Sequence, residues 1–131
     1  MGATSVILLD TSVLLAPPSH WPGAILGSST ICLAELQFGV QKAPTAAIRA
    51  QRTRAVATYR SIFEWIPFEE PDAENYGVLA ARVAPRRPAH ARTKDILIAA
   101  QALTLGVPLL TRNVRDFDLV SDLVEILDGN V

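Results

Sequence analysis

The stretch VILLDTSVLL, residues 6–15, decides how the chain is read. Val6–Leu9 is an unbroken apolar run, the pattern of a short strand covered on both faces. Its end is a carboxylate, Asp10. An ionised group costs several kcal/mol if it is buried without a partner. Asp10 is therefore a turn residue, a helix cap or part of a site. In open parallel sheets, ligands collect outside the carboxyl ends of the strands. If Val6–Leu9 belongs to such a sheet, Asp10 lies at its rim.

The rest of the chain supports that sheet. Pro17, Pro18 and Pro22 mark a loop or a short broken helix. A second short strand is expected at 30–32 and a helix at 33–40, with Leu33, Leu36 and Val40 on one face. Residues 46–62 read as a helix whose apolar stripe is Ile48, Val56, Tyr59, Ile62 and Phe63, with the arginines mostly off it. A strand at 63–67 and a helix at 72–84 follow, the latter with Tyr76, Leu79, Ala80 and Val83 inward. A basic loop occupies 85–92. A strong helix spans 93–105, ended by Gly106 and Pro108. Strands at 107–110 and 124–127 complete the pattern. Alternating strands and helices argue for an α/β fold, with a central parallel sheet of four to five strands flanked by helices. The 131 residues read as one domain, 1–131.

Composition narrows the class. Half the residues are hydrophobic and 19% are charged, which argues against disorder. Net charge is −1, so the total says nothing about partners, but its distribution does. No Lys or Arg occurs before Lys42. Arg49, Arg52, Arg54 and Arg60 follow with no acid between Gln37 and Phe63, and Arg82, Arg86, Arg87, Arg92 and Lys94 with none until Asp95. Arg suits forked contacts to phosphate, although either cluster is also what a solvated helix face or loop looks like. Cys32 is the only cysteine, which excludes an internal disulfide and points to the reducing cytoplasm. No run reaches ~18 apolar residues, so no membrane span is expected.

Acids recur where strands end and helices begin. Glu35 falls in the first turns of the helix after the second strand, and Asp95 opens the helix DILIAAQAL. Asn113 and Asp116 follow the strand VPLL. Taken singly, each has an ordinary explanation: a turn, a solvated helix carboxylate, a macrodipole partner capped by Thr93, a surface residue. Four together at one sheet edge are harder to explain away. Two unit charges ~5 Å apart repel by about 3 kcal/mol at an effective dielectric of 20, so such a cluster calls for a cation. Oxygen donors without His or Cys favour Mg²⁺ or Mn²⁺ over zinc, ions that commonly serve phosphoryl chemistry.

The stretches LLDTSVLL (8–15), AELQFGV (34–40), DILIAAQAL (95–103) and LLTRNVRDF (109–117) resemble, in order, the four motifs of PIN-domain ribonucleases, and most nearly those of the VapC toxins of type II toxin–antitoxin pairs. The last two motifs are the more specific, and the likeness covers essentially the whole chain. It implies a PIN-like domain with a Mg²⁺- or Mn²⁺-dependent acidic site, in which Asp10, Glu35 and Asp95 match the core acids. Asp116 is assigned as the fourth and Asn113 as an accessory polar group. Ser12 matches a small hydroxyl residue near the site, while Thr11 is a candidate turn cap. The approach to Asp95, APRRPAHARTKD (84–95), departs from the glycine-containing form usual in the family and makes a stiffer, more positive rim.

What the resemblance implies is endonucleolytic cleavage of structured cellular RNA, of the tRNA or rRNA class, by a metal-activated water. Arg86, Arg87, Arg92, Lys94, Arg112 and Arg115 are the candidate RNA contacts, since backbone phosphates dominate affinity. It also implies a small antitoxin whose segment covers the site, with Trp21, Leu36, Phe38 and Tyr59 as candidate groove residues, and a homodimer; DNA is met only through the antitoxin. A catalytically silent PIN-like module, acting as corepressor in an antitoxin–DNA complex, is the rival from another class. An aspartyl-phosphate phosphatase is disfavoured because Ser12 stands where a second Asp is needed, and a nucleotide-binding fold because no Gly-rich loop follows the first strand.

Overall fold

A computed structural model of the protein describes residues 6–86 and 93–130; Arg87, His90 and Arg92 lie outside them. Five strands form one sheet: β1 Val6–Leu9, β2 Ile25–Ser29, β3 Glu64–Ile66, β4 Leu109–Thr111 and β5 Ile126–Asp128. Every neighbouring pair is parallel, in the order β3-β2-β1-β4-β5. The helices are α1 Thr11–Leu15, α2 Thr30–Gln41, α3 Ala46–Ile62, α4 Glu70–Val83 and α5 Thr93–Leu105, with a 3-10 helix at Val114–Val120. Among the described residues, no helix is long and apolar enough to cross a membrane.

The apolar run of β1 takes the central place. Leu8 and Leu9 are fully buried, and each burial stabilises the fold by roughly 2 kcal/mol. From β1 the chain builds outward through β2 to β3, then returns to the other side of β1 for β4 and β5. The winding direction therefore reverses between β1 and β4. Such a switch point opens a crevice at the carboxyl ends of the two strands. Asp10 follows β1, and Thr111 ends β4, so they form its two lips.

The second strand lies earlier than the sequence pattern places it. Residues 25–29 form β2, and 30–32 are already helical. The stretch Ile25–Ser29 reads poorly as a strand because it ends in glycine and two serines. The structure shows why they are tolerated. Gly27 faces β3, where a Cβ would sit 3.3 Å from the Glu64 carbonyl. Ser28 is fully buried and its hydroxyl donates to the Leu9 carbonyl (2.7 Å). Ser29 caps α2: its Oγ accepts the Ile31 N–H (2.9 Å).

Two smaller differences have similar causes. The helix expected from 72 begins at Glu70, because the buried Asp72 accepts the Glu69 N–H (2.8 Å) and closes the first turn. Ile62, read as part of the inward stripe of α3, is 58% exposed, because the helix ends there and Phe63 turns into the core instead. Trp21 meets that Phe63 ring edge-on at 5.4 Å, and Tyr59 stacks on it at 5.5 Å.

Replacing Ser29 by Ala removes the α2 cap. The expected loss is about 1 kcal/mol of unfolding free energy, measured as a lower urea midpoint with an unchanged m-value.

Candidate active site

Asp10 is only 4% exposed, yet its charge is not stranded. Its backbone takes the N-cap position of α1, but its side chain makes no capping bond. Instead, Oδ2 accepts two hydroxyl hydrogen bonds, from Ser12 and Thr111, each 2.8 Å long. Thr111 comes from β4, so the second bond closes the crevice of the switch point. The hydroxyls are themselves held: the Arg112 N–H donates to Ser12 Oγ and the Asn113 N–H to Thr111 Oγ1, both at 3.0 Å. An oxygen that accepts an amide N–H keeps its own proton for the carboxylate. Both hydroxyls use Oδ2, so Oδ1 serves neither. Thr111 is fully buried and was not singled out from the sequence, since a threonine ending a strand looks like an ordinary β-former.

Glu35 reaches the same edge from the second turn of α2. Its Oε1 accepts the Thr11 hydroxyl (2.9 Å), and its Oε2 lies 3.8 Å from Lys94 Nζ. Thr11 thus bridges to Glu35 and does not cap a turn. Lys94 shows that the first turn of α5, which carries Asp95, opens beside Glu35. Asp116 comes from another element. It lies in the first turn of the 3-10 helix and lines a recess of about 430 Å³ with Asn113, Arg115, Asp128 and Asn130. Glu35 and Thr11 instead line a groove of about 700 Å³ between α1, α2 and α3.

The donors offered at this edge are carboxylate and hydroxyl oxygens, which suits a hard divalent cation. Their positions leave the set open: among the described residues, no three Asp, Glu, His or Cys side chains are gathered to hold a metal ion.

Of the basic residues, Arg86, Lys94 and Arg115 are exposed. Arg112 is engaged otherwise, with its guanidinium on the Ala16 and Pro17 carbonyls and on Asn130. Arg52, which lines the groove, donates to the Gly39 carbonyl (2.7 Å), and Arg49 donates to that of Gln41 (3.4 Å). Both arginines thereby satisfy carbonyls at the C-terminal end of α2.

Cys32 lies under the site, fully buried, with Sγ 3.7 Å from the Leu9 carbonyl. Burial pushes its thiol up to about 11; the Ser28 and Thr11 hydroxyls oppose the rise, and the Asp10 and Glu35 charges add to it. A thiol so raised is not a nucleophile near neutrality. Iodoacetamide at pH 8 should leave native Cys32 unmodified and label it readily in urea, as intact-mass spectrometry would show; fast native labelling would contradict its burial.

The PIN domain family model matches residues 7–123. Ribonuclease VapC1 of Rickettsia felis is 30% identical over 126 residues, covering 89% of this chain and 92% of that protein. Ribonuclease VapC5 of Mycobacterium tuberculosis is 34% identical over 116 residues, covering 81% and 82%. Among solved structures, a member of the VapBC family of toxin–antitoxin systems, VapBC-5 of Mycobacterium tuberculosis, superposes with a TM-score of 0.81 at 30% identity, covering 95% of this chain and 98% of that one.

Proposed function

Because the chain belongs to the PIN domain family, and within it to the VapC proteins, we propose that it is the toxin of a type II toxin–antitoxin pair and an endoribonuclease dependent on Mg²⁺ or Mn²⁺. The names of its relatives support the ribonuclease, and the VapBC structure supports the antitoxin partner. The observation that carries the chemical reading is Asp10, kept buried and oriented at the switch point by Ser12 and Thr111, with Glu35 at the same edge.

In this reading Asp10, Glu35, Asp95 and Asp116 would hold the ion, with Asn113 as an accessory polar group. Bound there, a divalent cation would activate water and stabilise charge on the scissile phosphate. The protein's own residues do the rest. Ser12 and Thr111 hold Asp10 through Oδ2, and Oδ1 would be the oxygen offered to the ion. Thr11 holds Glu35 from below, and Lys94 offsets part of its charge. Arg86, Lys94 and Arg115, with Arg87 and Arg92 outside the described residues, would follow the RNA backbone. Base contacts would then come from exposed single-stranded loops of structured cellular RNA.

The groove suits an antitoxin. Leu14, Leu36, Val56 and Tyr59 line it, and Leu15 and Phe38 stand at its mouth 72% and 63% exposed. Trp21 is not in its lining and packs on Phe63 instead. An apolar segment laid along this groove would end at Glu35 and cover the site. A homodimer is part of the same proposal.

The test uses partner-free protein, total bacterial RNA, and Mg²⁺ or Mn²⁺. Wild type should give discrete fragments, lost in EDTA. Asp10→Asn and Asp95→Asn should stay folded and lose cleavage about 100-fold or more, the scale of removing a charge-stabilising group at a reacting centre. Variants as active as wild type would refute the acidic site. A wild type that binds its antitoxin and cuts nothing would put the silent corepressor module in its place.

A further inference from the structure

The turn at 128–130 lies far from Asp10 in the chain and holds it in space. Gly129 donates its N–H to the Thr111 carbonyl (2.7 Å). It is buried so closely that a Cβ there would come within 2.7 Å of Val13 Cγ1 and 3.2 Å of that carbonyl. Asn130 follows, fixed by two bonds to Asp128 Oδ1, from its own N–H (2.9 Å) and from Nδ2 (2.7 Å). Its amide then grips Arg112 at both ends. Nδ2 donates to the Arg112 carbonyl (2.9 Å), and Oδ1 accepts from Arg112 Nη1 (2.9 Å).

Arg112 passes the hold onward. Its Nη2 donates to the Pro17 carbonyl (3.0 Å) and its Nε to that of Ala16, which pins the chain just after α1. Its backbone N–H donates to Ser12 Oγ, whose proton goes to Asp10. One residue thus ties together the tail of α1, the end of β4 and the turn after β5. These are the elements that place both hydroxyls on Asp10. A guanidinium with its fork on two carbonyls and an amide oxygen is committed to geometry, and Lys could not reproduce the pattern.

We infer that Arg112 and Asn130 are positioning residues for the cleavage reaction: a clamp that sets Ser12, Thr111 and through them Asp10, without touching RNA. This assigns Arg112 a role other than the phosphate contact that its charge suggests. The inference rests on Asp10 being the essential carboxylate. Asn130 lines the recess that Asp116 also faces, so the clamp forms one wall of the site's second half.

The test compares Asn130→Ala, Arg112→Lys, Arg112→Ala and the Asn130→Ala/Arg112→Ala pair in the full chain. The substrate is a short RNA carrying a site mapped with wild type. Asn130→Ala should lower kcat about 10-fold, the usual cost of losing an outer partner of a site ligand, with KM and the salt slope unchanged. Arg112→Lys should fail to rescue. The double variant should be no worse than Arg112→Ala alone, because both changes break one network. Amide exchange by NMR gives a readout without substrate: Arg112 and Asn113 N–H groups should exchange about 10-fold faster in Asn130→Ala at an unchanged urea midpoint. A wild-type-like Arg112→Lys, or a raised KM with a flattened salt slope, would make Arg112 a phosphate contact and overturn the clamp. Unchanged exchange would overturn it too, whatever the activity. Full activity of Asp10→Asn would instead defeat the nuclease site and leave the exchange result to judge the clamp.

Discussion

The fold depends on how one buried carboxylate is satisfied. Asp10 sits where the winding of the sheet reverses, and two hydroxyls donate to a single one of its oxygens. Without them, a charge at 4% exposure would carry a desolvation cost of several kcal/mol. With them, the same charge joins α1 to β4 and stays oriented. The amide groups of Arg112 and Asn113 fix the direction of both bonds. The same few atoms that keep Asp10 tolerable leave its other oxygen free of both hydroxyls.

The edge is divided in two. On one side Glu35 closes the inner end of an apolar groove between α1, α2 and α3. On the other, Asp116 faces a polar recess walled by Arg112, Asp128 and Asn130. Asp10 lies at the carboxyl end of β1, bonded to Thr111 at the end of β4. The groove is mostly apolar in its lining, whereas the recess is lined mainly by charged and amide side chains. The two basic clusters differ as well, since Arg49 and Arg52 close the end of α2, while Arg86 is exposed just after α4 and Lys94 in the first turn of α5 lies beside Glu35.

Much of this was legible in the residues because local signals agreed. Helices α3 and α5 match their expected spans to the residue: Thr45 caps one, and Gly106, at φ +67°, ends the other. The parallel sheet followed from short apolar runs alternating with helices. The position of β2 did not, because Gly27, Ser28 and Ser29 look like turn residues until Ser28 is seen bonded to Leu9 across the sheet. Asp10 announced itself as an acid at a strand end. Its partners did not, because Thr111 is 101 residues distant and bonds only through the fold. The clamp at Asn130 was hidden for the same reason, since nothing local distinguishes an Asp-Gly-Asn turn that grips an arginine 18 residues away from one that merely ends a strand.

The most direct measurement is a calorimetric titration of Mn²⁺ into partner-free wild type and Asp10→Asn, both shown to be folded by circular dichroism. The expected result is saturable binding to wild type that is lost or weakened at least about 10-fold in the variant, as befits removal of a ligand. Equal binding to the two proteins, or none to either, would contradict an oxygen site centred on Asp10.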